Sequence, residues 1–172
     1  IDEPKCLDLM NKINKRGHII GFHPSYNAYN NSKQLKEEKD LLEQTLEQEI
    51  IEGRGHYLRF EVPTTWQIFE DAGMEIDSTC GYADKVGFRC GTGEEFSVFN
   101  ILTRKKLKLK ERPVILMDFT LFGYQKLGWN KIKDILRKLM KNKKTFTILW
   151  HNSQIENRKI YEQLIDYLYD KD

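Results

Sequence analysis

Gly17-His18-Ile19-Ile20-Gly21-Phe22-His23-Pro24 is a short apolar run that ends on a histidine. Ile19, Ile20 and Phe22 suit a buried strand, Gly17 and Gly21 allow close backbone approach, and Pro24 lacks the N–H that a ladder needs. The strand is therefore expected to stop at His23. The same design recurs along the chain. Met74-Glu75-Ile76 ends at Asp77, the continuously apolar Val114-Ile115-Leu116-Met117 ends at Asp118, and Phe146-Thr147-Ile148-Leu149-Trp150 ends at His151.

Helical spacing fills the intervals. Residues 4–16 start with a proline suited to a first turn and are followed by Gly17. A charged helix is expected from about 33 to 52, capped by Ser32 and closed by Gly53, with Leu35, Leu42, Leu46 and Ile50 as its inner stripe. Further helices are expected from Pro63 or Thr64 to 72, at 129–142 and at 155–169, and further strands at 56–60 and 96–101. Leu107 and Leu109 alternate with lysines as an exposed sheet edge would. Strands alternating with helices imply an α/β fold with parallel strands and right-handed crossovers, either an incomplete α/β barrel or an open sheet.

The chain has 172 residues, a length that suits one domain spanning 1–172. Hydrophobic residues at 40% and aromatics at 12% indicate a globular chain, and no apolar run approaches a membrane span. Twenty-eight basic and 26 acidic side chains leave a net charge of +2, which gives no global argument for nucleic acid or a membrane as partner. The basic stretch 104–112, with Lys105, Lys106, Lys108 and Lys110, reads as a solvated turn or edge. Three cysteines without CxxC spacing argue against a disulfide framework and a zinc knuckle, and fit a reducing, cytoplasmic setting. Ile1-Asp2-Glu3-Pro4 shows no signal-peptide pattern and no initiator Met, and reads as the start of a fragment or a processed chain.

His23, Asp77, Asp118 and His151 each have an ordinary explanation taken singly, as a strand stop or a helix entry. Together they read as a site, because the carboxyl ends of parallel strands share one face, and all four are expected to converge there. Arg54 is placed to hold a carboxylate, whereas His18 reads as structural. The glycine-rich stretch 78–95 has little periodicity and is long enough to carry function.

The run 17–23 resembles the approach to the metal-binding histidine in polysaccharide deacetylases of the NodB-like, carbohydrate esterase type. His23-Pro24-Ser25-Tyr26, Arg54-Gly55-His56-Tyr57-Leu58-Arg59-Phe60, Asp77-Ser78-Thr79, Gly81-Tyr82-Ala83-Asp84 and Gly87-Phe88-Arg89 follow in order, and look like a divergent bacterial branch of that family. The resemblance covers nearly the whole chain. It implies an irregular, incomplete (β/α) barrel that removes acetyl groups from a polysaccharide or oligosaccharide by metal-assisted hydrolysis. It also implies His23 as a metal histidine, Arg54 as the arginine that orients the base, Asp77 as the carboxylate of the fourth motif and His151 as the acid histidine. Tyr57, His56 and Asp118 are expected on the substrate side.

Two departures bear on the metal. Asn27 stands where the second metal histidine is expected, four residues after His23, and the paired aspartates of the first motif have no counterpart beyond Asp2 and Asp8. The implied cofactor, a divalent metal with zinc foremost, is accordingly expected to be weakly held or absent, and the chain to be an impaired enzyme. The contrasting expectation is a non-catalytic carbohydrate-binding module that uses Tyr26, Tyr57, Trp66, Tyr82 and Trp150 as stacking faces; core packing is the competing role for Trp66.

Overall fold

A computed structural model describes residues 3–141 and 147–169. Asp2, Asn142 and Phe146, which enter the expectations above, lie outside the described residues. The chain groups into two compact units: Ile1–Cys80 with Glu95–Arg112, and Gly81–Glu94 with Pro113–Asp172.

The first unit carries helices α1 (Pro4–Lys15), α2 (Ser32–Leu46) and α3 (Thr64–Asp71), with strands β1 (Glu52–Gly53), β2 (Ile76–Asp77), β3 (Phe96–Asn100) and β4 (Lys105–Glu111). Its sheet runs β1-β2-β4-β3. β1, β2 and β4 are parallel, and β3 pairs antiparallel with β4. The expected strand into His23 contracts to a single parallel bridge from Phe22 to Gly53, with Phe22 N–H donating to Glu52 O and Arg54 N–H to Phe22 O. His23, Arg54 and Ser78 therefore follow three parallel segments at their carboxyl ends.

Local chemistry explains several differences from the sequence expectations. Asn31, not Ser32, caps α2, because its side chain accepts from the Gln34 N–H. The helix ends at Leu46, where Glu47 turns left-handed at φ 52°. Residues 56–58 form a 3₁₀ turn rather than a strand, with Tyr57 and Leu58 left-handed at φ 58° and 53°. β4 is an interior strand and not the expected edge; the edges are β1 and β3. Its alternation is real, however: Leu107, Leu109 and Glu111 point inward while Lys106, Lys108 and Lys110 face solvent. β2 is too short to satisfy all of β4, and the Glu70 carboxylate accepts the N–H groups of Lys108 and Leu109 instead. Phe22, Leu35, Ile50, Phe69, Val98 and Leu109 form the core of this unit.

The second unit holds β5 (Val114–Met117), α4 (Trp129–Met140), β6 (Thr147–Leu149) and α5 (Arg158–Tyr169). β5 and β6 pair in parallel, and all four β5 side chains are buried, as its continuous apolar run requires. Ile132 and Leu136 of α4 and Leu164 of α5 pack with Leu116 and Leu121. A five-residue π-helical turn, Thr120–Tyr124, follows β5. The fold is thus mixed α/β with mostly parallel strands, and neither sheet closes into a barrel. Among the described residues no helix is long and apolar enough to cross a membrane.

Candidate functional site

In the second unit, the chain leaves β5 at Asp118 and β6 at His151, so two parallel strands deliver both side chains at their carboxyl ends. Asp118 has no solvent exposure, yet both oxygens are occupied. Oδ1 accepts from the Phe119 N–H at 2.6 Å and from His151 Nδ1 at 2.7 Å, and Oδ2 accepts from the His151 N–H at 2.6 Å. A carboxylate only accepts, so the His151 proton on this side sits on Nδ1. Nε2 is then the nitrogen left for proton exchange, on a side chain 47% exposed. A buried carboxylate that fixes the tautomer and direction of an exposed imidazole is the arrangement that general acid–base catalysis needs.

The glycine-rich stretch is anchored beside this pair. Gly87 N–H donates to Ile115 O, Thr120 Oγ1 to Ala83 O, Gln125 Nε2 to Asp84 O, and Arg89 to Gly81 O. Tyr82 remains exposed. Trp150 is half-buried between Phe122 and Tyr161 at ring separations of 5.7 and 5.1 Å.

In the first unit, His23 and His56 face each other. His23 Nδ1 lies 2.8 Å from Arg54 O, and a carbonyl accepts, so Nδ1 carries a proton. His23 Nε2 is then the acceptor for His56 Nδ1–H at 2.9 Å. Both rings border a cleft of about 570 Å³, together with Tyr26 and Glu38. Beyond His56, Tyr57 is 78% exposed, with its ring edge against His56 and Tyr26. Arg59 lies over Tyr26 and Tyr29 at 4.2 and 4.0 Å from the ring centroids.

Behind this surface lies a buried polar cluster. Arg54 Nε donates to Ser78 O at 2.9 Å. Burial holds its pKa below the usual arginine value, against the opposing pull of Asp77 and Glu111. Asp77 is fully buried, and its Oδ1 accepts from the Thr79 N–H at 3.0 Å and from the Thr79 hydroxyl. That hydroxyl in turn accepts the Gly55 N–H at 2.7 Å. Gly55 is needed for the approach: a Cβ there would stand 2.7 Å from Arg59 O and 3.1 Å from the Thr79 methyl. Glu111, directly across from Asp77 in the β2–β4 register, is also fully buried. It accepts from the Cys80 N–H at 2.8 Å and from Trp66 Nε1 at 3.2 Å. Burial foremost pushes both carboxyls up, Asp77 to about 6 and Glu111 to about 10.

No protein-family model and no curated protein matches the chain.

Of the seven expected site residues, Asp118 and His151 are hydrogen-bonded in one unit, and His23, Arg54, His56, Tyr57 and Asp77 gather in the other. Sequence reasoning gave Thr79 no role of its own and missed Glu111. A signal for Glu111 was present, since the period-two pattern that turns Leu107 and Leu109 inward continues to it.

The donors suit the implied zinc only in part. The Arg54 carbonyl holds the far side of the His23 ring as a metal ligand requires, but His23 Nε2 is engaged by His56 Nδ1–H at 2.9 Å. Asn27 does not join them: its Oδ1 accepts from Arg59. Among the described residues no group of three or more His, Cys, Asp or Glu side chains is gathered to hold a cation. Catalytic zinc takes three protein ligands, so these side chains do not by themselves furnish such a site.

Proposed function

We propose that the chain is a polysaccharide-deacetylase-like hydrolase that removes acetyl groups from a carbohydrate. The observation that carries the reading is the Asp118–His151 pair. When water has added to the acetyl carbonyl, the bond to the sugar nitrogen or oxygen breaks, and the departing atom needs a proton. His151 Nε2 supplies it, while the Asp118 carboxylate stabilises the imidazolium from which it comes. The products are acetate and the free amine or alcohol. The resemblance brings a divalent metal with it, zinc foremost, for which the described side chains gather no set of three ligands.

The test is acetate release from acetylated oligosaccharides, with and without added zinc, cobalt or nickel. His151→Ala is expected to lower the rate by about 10²–10⁴-fold. Release at an unchanged rate in that variant overturns the reading.

A second reading, a carbohydrate-binding module without catalysis, is favoured by the exposure of Tyr57 beside Tyr26 and the Arg59 stack. Aromatic faces presented to solvent match the apolar faces of sugar rings. Oligosaccharide binding that is lost in Tyr57→Ala, without acetate release from the parent chain, would support it over the hydrolase.

A further inference from the structure

We infer that Glu111 and Asp77 share one proton, and that through this shared proton Glu111 acts as a positioning residue for Arg54. The inference concerns the chain's own buried charges and stands whether or not the protein hydrolyses a carbohydrate.

Four observations carry it. The two residues face each other in register on adjacent parallel strands, and neither has solvent exposure. Donors are few: Asp77 Oδ1 is served by Thr79, and the Glu111 oxygens by Cys80 N–H and Trp66 Nε1–H. Treated as two anions, the pair leaves Asp77 Oδ2 buried with no hydrogen-bond donor among the described residues. A proton on Glu111 supplies that donor and leaves no buried polar atom of the pair unsatisfied. Finally, the charges balance only in this state. Arg54 is the cation that acts on Asp77, and Arg112, which opposes it, is engaged by Glu52 at 2.7 Å and Glu95 at 2.6 Å. Two ionised carboxylates facing one arginine would leave an uncompensated buried charge, whereas one shared proton leaves a single negative charge opposite a single positive one.

The pair influences the surface through Arg54, which reaches both directions. Its side chain donates to Ser78 O just after β2, and its carbonyl accepts the His23 Nδ1 proton. Among the described residues Arg54 forms no ion pair with either carboxyl, so the coupling runs through the field of a monoanion and not through direct contact. Losing the shared proton would set two anions against each other across the β2–β4 pairing, beneath the residue that orients His23. Among the described residues the groups that act on the pair are Arg54 and Cys80; Arg112 acts on Arg54 and is itself engaged by Glu52 and Glu95, so Arg54 is the cation that balances the pair.

The experiment follows the side-chain carboxyl carbons of Asp and Glu by NMR across a pH titration of the full chain, alongside urea unfolding at each pH. Two buried carboxyls are expected to titrate together, with one proton retained through neutrality. Glu111→Gln keeps a donor towards Asp77 Oδ2 but cannot ionise. It is expected to remove the higher titration and to flatten the stability slope between about pH 7 and pH 9 from one proton to none. If Glu111 were ionised in the folded chain, the variant would leave that slope intact. If both carboxyls of the parent chain are ionised at neutral pH, the inference is overturned, and this readout does not depend on any variant folding. A Glu111→Gln variant that folds and keeps the parent slope overturns it as well.

Discussion

Asp118 accepts three hydrogen bonds, two of them from His151, and that number predicts what its loss would do. In Asp118→Asn the amide can no longer be acceptor-only on both atoms, so one contact to His151 is lost or reversed and the imidazole tautomer is no longer held. Acetate release is expected to fall by about 10²–10⁴-fold while the fold persists, read as kcat at unchanged circular dichroism. Tyr57 presents the converse case. Its left-handed backbone costs about 1–3 kcal/mol and its ring is mostly in solvent, so the conformation is maintained by its surroundings: Thr79 holds the Gly55 N–H, and Arg59 N–H closes the turn onto His56 O. At this scale the sequence is informative where an apolar run stops on a titratable residue, as at Asp118 and His151. It is silent on Tyr57, because a left-handed turn imposed by a hydroxyl 22 residues downstream leaves no local mark.

At the scale of elements, α2 offers a direct test. Its last turn is closed by Glu47 at φ 52°, a conformation that glycine adopts without a Cβ penalty. Glu47→Gly is expected to stabilise the chain by up to about 1 kcal/mol, read as a rise in the urea midpoint; a fall of that size would show that the Glu47 side chain matters more than its backbone. The helices α1, α2, α3 and α4 were legible because a 3.6-residue apolar period is a local property. The place of β4 was not legible. Alternating lysines look the same on an edge strand and on an interior strand with one wet face, and only pairing with β2 and β3 distinguishes them. The strand before His23 was overread for a related reason: its apolar run is real, but just one bridge, Phe22 to Gly53, forms.

For the whole molecule, the buried carboxyls set the direction of the pH dependence. Asp77 and Glu111 keep protons in the folded chain at pH values where the unfolded chain has lost them. Their contribution is therefore complete below the ordinary carboxylate range, and is lost as pH rises through about 6 and then about 10. Each retained proton corresponds to about 1.4 kcal/mol per pH unit. Glu38 and Glu43 work the other way. Burial raises both, but hydrogen bonds from Ser25 and Gln34 to the first, and from Ile50 and Lys39 to the second, hold them below the usual value; their contribution is present above it and is lost on acidification. Stability in urea is thus expected to peak in mildly acid solution and to decline from about pH 6 to pH 9. A curve that climbs over that interval would contradict the assignment of the buried pair.

The division into Ile1–Cys80 with Glu95–Arg112, and Gly81–Glu94 with Pro113–Asp172, has a covalent consequence. The chain passes from one unit to the other at Cys80–Gly81, Glu94–Glu95 and Arg112–Pro113, so each unit is assembled from two separate lengths of polypeptide. A single cut at Arg112–Pro113 leaves the first unit whole on one fragment, a cut at Cys80–Gly81 leaves the second whole, and no single cut leaves both whole. Expressing either unit free of the other's residues calls for a redesigned connection: a bridge from residue 80 to 95 for the unit with His23 and Arg54, or one from 94 to 113 for the unit with Asp118 and His151.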